Sequence, residues 1–245
     1  MSDSPPGAAG ATPDDPDRER WFLVRDRAAY LPDADALVIA DLHLGRARTS
    51  NVEFPLPERA SVERRLAGLV DTFDPRRVVL AGDVCHAFGT APEGVAESLD
   101  AIRERVADAG AGLVVVRGNH DPMLDSLADP VSEHRPGDGT LICHGHEDPG
   151  DADRYVIGHE HPAIDIEGRR HPCFLWGEGV HSGGDVLAVP AFTELAAGTP
   201  VNTMRGRDAQ SPLLSDLGAF RPLVREEDSG ETFVFPPLSS FRELL

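Results

Sequence analysis

Lysine is absent from this 245-residue chain, so all 23 basic residues are arginine. Against them stand 42 acidic residues, and the formal net charge is −19 at neutral pH. A field this negative opposes phosphate backbones unless screening or local arginines intervene. Arginine pairs such as Arg64-Arg65 and Arg76-Arg77 are interleaved with acids, and no basic stripe develops. A dedicated nucleic-acid surface is therefore not expected. Aromatic residues are also scarce, at 6% against an apolar fraction of 40%, which suits a globular core built on Val, Leu, Ala and Ile. No run approaches the roughly 18 apolar residues that a membrane-spanning helix needs. Met1 to Asp17 lacks the charged-then-apolar order of a signal peptide, so a soluble, cytoplasmic protein is expected.

Cysteine is limited to Cys85, Cys143 and Cys173, an odd number without any CxxC spacing. A disulfide framework is not expected in a chain of this size. Cys85 and Cys143 each precede a histidine, but oxygen and imidazole donors are plentiful enough to make thiolate ligation unnecessary. The acidic, alanine-rich, lysine-free composition looks like that of proteins from halophilic archaea. In molar salt the Debye length falls to about 3 Å, and self-repulsion is largely screened.

Residues 1–18 are Pro, Gly, Ala, Ser and Asp with little to bury, and read as a disordered tail before a single domain over 19–245. Trp21–Val24 reads as an edge strand. Leu37–Ala40, Val78–Ala81 and Leu113–Val116 are short continuous apolar runs, the mark of strands covered on both faces. Between them, Glu58–Phe73 and Pro92–Ala109 carry apolar residues at helical spacing. That strand–helix alternation is the rhythm of parallel βαβ units, whose ligand sites lie at the carboxyl ends of the strands. After Pro122 the texture shifts to shorter strands at Thr140–Cys143, Tyr155–Ile157, Cys173–Trp176, Val186–Val189 and Thr232–Phe235. The stretches Glu147–Asp153 and Gly198–Gly218 read as loops.

Five segments end apolar runs with metal-ligand chemistry: Asp41-Leu42-His43, Gly82-Asp83, Gly118-Asn119-His120-Asp121, His144-Gly145-His146 and Gly158-His159-Glu160-His161. Carboxylate, imidazole and amide oxygen form the mixed O/N set that suits manganese, iron or zinc. Residues i and i+2 of an extended stretch point to the same side. Asp41 and His43 can thus reach one ion, and His159 and His161 can both face the site. A carboxylate such as Asp83 can bridge cations about 3.5–4 Å apart.

The order of these segments resembles the calcineurin-like metallophosphoesterase superfamily, whose pattern runs D-x-H, GD, GNH[D/E], H and GHxH. The resemblance spans Leu37 to His161. The phrases ADLHLGR (Ala40–Arg46), GDVCHAF (Gly82–Phe88), GHEHPAI (Gly158–Ile164) and CFLWG (Cys173–Gly177) look like a narrower archaeal branch. Its members are described as phosphoesterases related to the SbcD-type nuclease of double-strand-break repair.

The resemblance implies an α/β four-layer sandwich, two mixed β-sheets flanked by helices. It implies two divalent cations, manganese first, with iron, zinc, nickel or cobalt as alternatives. Asp41, His43, Asp83 and His161 would hold one, and Asp83, Asn119, His144 and His159 the other. His120 would donate a proton to the leaving oxygen, with Asp121 orienting its ring. An alternative has His120 as a ligand and Asn119 as a helix cap. His144 is favoured over His146 for the fourth motif, His146 then lying near the entrance. Arg46 and His86, just beyond ligand motifs, are placed to contact phosphate oxygens.

The implied function is a metal-dependent phosphoesterase in which a bridging hydroxide attacks a small phosphodiester or nucleotide. A DNA nuclease of the double-strand-break-repair type and a non-catalytic protein-binding module on the same fold are the alternatives. Against the nuclease stand the acidity and the lack of a basic surface; against the binding module stands the full set of ligands.

Overall fold

The structure is a computed structural model that describes residues 20–45, 56–86 and 94–241, without the side chains of 56–58 and 241. The expected tail over 1–18 and Arg46 lie outside the described residues, as do the ends of two motif phrases.

Five strands lie side by side in chain order in the first sheet: β1 (Leu23–Arg25), β2 (Ala28–Leu31), β3 (Ala36–Ile39), β4 (Arg77–Ala81) and β5 (Gly112–Val116). The first three pair antiparallel, and β3, β4 and β5 are parallel. Two helices occupy the stretches between the parallel strands, α1 (Leu56–Phe73) and α2 (Val95–Asp108). Helix α1 stops where Asp74 turns left-handed at φ 45°, one residue before Pro75, which cannot continue a helix.

The unbroken apolar runs follow from burial on both faces. In β3 and β4, Leu37, Ile39, Val78 and Leu80 pack against Val62, Leu66 and Leu69 of α1 and Leu99 and Ile102 of α2. The alternate residues Val38, Ala40, Val79 and Ala81 face the other way, onto Ile142, Val156 and Leu187 of the second sheet. Every one of these side chains is fully buried or nearly so. Truncating Leu80 to alanine at such a place would cost about 2–5 kcal/mol.

The second sheet has seven strands: β6 (Glu133–His134), β7 (Thr140–Cys143), β8 (Arg154–Ile157), β11 (Phe174–His181), β12 (Gly184–Ala188), β14 (Arg221–Glu226) and β15 (Glu231–Val234). Their order is β15-β14-β11-β12-β8-β7-β6, with β12, β8 and β7 mutually parallel at the centre. A small sheet of β9 (Pro162–Ile166), β10 (Arg169–Pro172) and β13 (Thr199–Pro200) stands beside it. The expected sandwich of two mixed sheets is the observed one.

The outer layers differ from each other. Long helices cover the first sheet. The second is covered by three one-turn 3₁₀ segments within Gly206–Ala219, the single-turn helix α3 (Leu238–Phe241) and part of the small sheet. Apolar residues in this cover, Leu213, Leu214, Leu217 and Leu238, are fully buried although their surroundings in sequence are polar and Gly/Pro-rich.

Candidate metal centre

Each of the five motifs lies just beyond a strand end. Asp41 follows β3, Gly82-Asp83 follows β4, Gly118–Asp121 follows β5, His144 follows β7 and Gly158–His161 follows β8. The parallel centres of both sheets thus direct their carboxyl ends to one place, where open α/β sheets gather ligands. The backbone there is bent hard. Asp41, His43, Asp83, His159 and His161 all have φ between 47° and 67°. Non-glycine residues seldom adopt this left-handed region, and such strain persists only where the surroundings over-determine it. Two glycines make room for the packing. A Cβ at Gly82 would lie 2.3 Å from Nδ1 of His144, and one at Gly118 would lie 2.2 Å from the backbone N and Oδ1 of Asp83.

The donor atoms fall into two adjoining groups, Asp41–His43–His161 and Asp41–Asp83–His144. In the first, Nε2 of His161 lies 3.2 Å from Oδ1 of Asp41 and 3.1 Å from Nε2 of His43. In the second, Nε2 of His144 lies 3.3 Å from Oδ1 of Asp83, 2.9 Å from Oδ1 of Asn119 and 3.2 Å from Nδ1 of His159. The structure therefore brings together Asp41, His43, Asp83, Asn119, His144, His159 and His161. Asp41 is the carboxylate that belongs to both groups.

Donors about 2.1 Å from a shared ion, at bond angles between octahedral and tetrahedral, lie about 3.0–3.4 Å from one another. Four of the spacings above fall in that range, and the 2.9 Å between His144 and Asn119 lies just below it. Oδ1 of Asp41 is buried and faces Nε2 of His161 at 3.2 Å, while Oδ2 takes the backbone N–H of His159 at 3.0 Å. A carboxylate this deeply buried is costly unless positive charge, from a ring or a cation, stands beside it. The donor set and this oxygen both fit divalent metal.

The electrostatics point the same way. Burial, and then the charge of Asp41, push the Asp83 carboxyl up to about 7. For Asp41, burial raises the carboxyl, but the surrounding rings of His161, His144 and His43 outweigh it and hold it below its ordinary value. Burial and then His144 push His159 down to about 4, and His144 is also lowered, chiefly by burial. Both rings are thereby kept as neutral imidazoles, the form that ligates a metal.

The remaining candidates take distinct places. His120 donates its backbone N–H to Oδ1 of Asp83 at 2.9 Å, and its ring stands at the half-buried edge of the cluster, with Nε2 4.0 Å from Oδ2 of Asp83. Fully buried Asp121 accepts backbone N–H groups instead of steering that ring. Oδ2 takes Gly118 at 2.9 Å and Val84 at 3.2 Å, and Oδ1 takes Cys85 at 2.8 Å. It pins the turn bearing Asp83 to the turn bearing Asn119. The ring of His86 meets that of His43 edge-on at 5.3 Å between centroids. His146 lies outside both donor groups, its ring 5.3 Å from that of His144 and its Nε2 4.0 Å from exposed Glu147. Cys85 and Cys143 are buried free thiols pushed by burial up to about 12, far from thiolate chemistry.

Two bracing features carry weaker sequence signals. Phe192 and Thr193 donate backbone N–H groups to the carbonyls of Ala40 and Asp41. Arg27 and Arg65 hold that segment by its carbonyls at residues 191, 192 and 193. Glu160, between the two histidines of the last motif, is buried instead of exposed. The segment is not extended as the sequence suggested: left-handed bends at His159 and His161 bring both rings to the site, while the Glu160 side chain between them reaches the backbone at residues 210 and 211.

The crystal structure of Pseudomonas putida nuclease MPE superposes with a TM-score of 0.61 over 86% of this chain and 92% of that one, at 24% sequence identity. The chain shares that nuclease's fold. No family model matches the chain, and no curated protein matches it. Among the described residues no helix is long and apolar enough to cross a membrane.

Proposed function

We propose that the chain is a metal-dependent phosphoesterase that hydrolyses a small phosphodiester or nucleotide. The observation that carries this reading is the convergence of acid, amide and imidazole donors at about 3 Å spacings on the strand ends of both sheets. In this assignment Asp41, His43 and His161 hold one divalent cation and Asn119, His144 and His159 hold the other; Asp83 serves both, as the resemblance implies, although Asp41 is the carboxylate common to the two donor groups. Manganese accepts such a set readily, with iron, zinc, nickel and cobalt as alternatives. When bound, the cations supply positive charge to phosphate oxygens and make a water nucleophile accessible at neutral pH.

The chain's own residues do the rest. His120, at the edge of the cluster, is assigned the proton for the departing oxygen. Asp121 holds the two turns that carry Asp83 and Asn119 in register, a positioning task suited to a reaction that depends mainly on placement and charge. His86 and Arg46 are assigned to the phosphate, an arginine fork matching paired oxygens. The single domain over 19–245 and the narrower archaeal branch belong to the same proposal.

A second reading, a nuclease, is favoured by the printed activity of the Pseudomonas putida protein that shares the fold. The charge of −19 and the absence of lysine weigh against extended contact with a nucleic-acid backbone. The deciding assay offers bis-p-nitrophenyl phosphate, a phosphomonoester and DNA to the purified chain with manganese in molar salt. Turnover of none of them with any of the five metals would remove the enzymatic reading.

A further inference from the structure

We propose that Glu160 is a positioning residue. It ties the turn that carries His159 and His161 to the Gln210–Ser211 segment, and so sets both imidazoles for cation binding at once. The inference rests on the two-cation reading above and deepens it.

The turn is strained, with His159 at φ 67° and His161 at φ 48° on either side of Glu160. Backbone contacts hold it in part: Glu160 N–H reaches the Gly158 carbonyl at 2.8 Å, and Thr199 N–H reaches the His161 carbonyl at 2.8 Å. His159 N–H also reaches Oδ2 of Asp41 at 3.0 Å, so the backbone of the turn is tied to the first sheet and to its own neighbours. Glu160 adds the tie to the cover of the second sheet. Its side chain, 1% exposed, places Oε2 on the backbone N–H groups of Gln210 at 2.8 Å and Ser211 at 3.3 Å, some fifty residues away.

That segment is itself anchored. The Ser211 hydroxyl accepts the Leu213 N–H at 3.4 Å and caps the 3₁₀ turn Pro212–Leu214. Leu213 and Leu214 are fully buried against the second sheet. The chain of contacts therefore runs from the core of the second sheet, through one carboxylate oxygen, to the two histidines. One of those histidines lies in each proposed cation group, so a single tether governs both.

The other oxygen, Oε1, is buried and accepts no hydrogen bond. A side chain kept only for packing would not place a carboxylate there, because an unsatisfied buried acceptor destabilises the fold. Acceptance of two N–H groups by Oε2 offsets part of that cost and gives the side chain its use.

The test uses the full chain, with Mn²⁺ and Co²⁺ as probes. Cation affinity is measured by calorimetry, ligand geometry by the Co²⁺ absorption bands, and the tether by amide hydrogen exchange in the metal-free protein. Glu160→Ala is expected to weaken both cations about 10–100-fold, the usual effect of losing an outer group around a metal, to shift the Co²⁺ bands, and to speed exchange at Gln210 and Ser211. E160Q keeps an oxygen for the two N–H groups and should restore affinity and protection. Gln210→Pro deletes the shorter bond from the far side and should follow Glu160→Ala. Gln210→Ala keeps the backbone N–H and should behave as the parent; this pair decides the matter if Glu160→Ala does not fold. Unchanged exchange at Gln210 and Ser211, or loss of one cation alone, would overturn the tether. A parent chain that binds neither cation would overturn the two-cation reading, while exchange in the metal-free chain would still report on Glu160.

Discussion

The Nε2 atoms of His43 and His161 face one another across 3.1 Å, although 118 residues separate them in the chain. Two ring nitrogens this close either share a proton or aim at a common centre. The nearby Oδ1 of Asp41, 3.2 Å from the same His161 nitrogen, favours the common centre. We expect two transition-metal ions per chain in the loaded protein and one in His161→Ala, since only the first group loses a donor. Elemental analysis that returned two ions for His161→Ala would refute the assignment of that histidine.

The roles of Asp83 and His120 separate in a paired experiment. Asp83 packs its carboxylate against Asp41 and His144, so Asp83→Asn removes charge from the heart of the centre and should lose metal and turnover together. His120 touches Asp83 through its backbone N–H, a contact that alanine keeps. His120→Ala should therefore retain both cations and lose about 10²–10⁴-fold in turnover if it acts as the general acid. Loss of a cation in His120→Ala would make it a ligand.

Much of this site was legible in the chain because the relevant signals are local. An apolar run such as Val78–Ala81 announces a strand buried on both faces, and the glycine and acid after it announce the strand end. What was less legible depends on contacts distant in sequence. Asp121 follows His120 and invites the reading that it orients that ring, but its oxygens are taken by backbone groups at residues 84, 85 and 118. Glu160 lies between two histidines of a polar motif, yet its partners come from residues 210 and 211. Strand β2 and the paired β9 and β10 are short and carry Arg, Tyr or Pro within weak alternation, so they stand out only through the neighbours they pair with. The cover of the second sheet hides in a polar stretch for a related reason: Leu213, Leu214 and Leu217 have helical spacing, but over one turn only, between Pro212 and Gly218.

Metal affinity should depend on pH through Asp83. Burial and the neighbouring Asp41 push its carboxyl up to about 7, so below that pH the metal-free chain holds a proton that an incoming cation must displace. Affinity is therefore full above about pH 7 and falls as pH drops through it, about tenfold per unit for one displaced proton. His159, already pushed down to about 4, adds no competing proton until far lower pH. Calorimetric titration with Mn²⁺ between about pH 5 and 8, in buffers of different ionisation enthalpy, reads both the affinity and the proton released. Affinity that stayed level across that range would contradict the coupling.

The nuclease reading can be separated from the small-substrate one by what each demands beyond the metal centre. A small activated diester needs only the cations and a proton donor, because attack and charge stabilisation are supplied on the spot. Duplex DNA needs cationic groups along its backbone, and each phosphate they contact makes binding more sensitive to salt. This chain has no lysine and carries 42 acids against 23 arginines, so few such contacts are at hand. We expect hydrolysis of bis-p-nitrophenyl phosphate or a nucleotide diester that persists in molar salt, and little cutting of duplex DNA by the chain alone. Both rates should vanish together in Asp83→Asn if they arise at the same centre. Efficient duplex cleavage by the purified chain, dependent on metal and abolished by Asp83→Asn, would reverse the preference. It would also show that arginines alone hold the backbone, and the steepness of its decline with salt would count how many phosphates they reach.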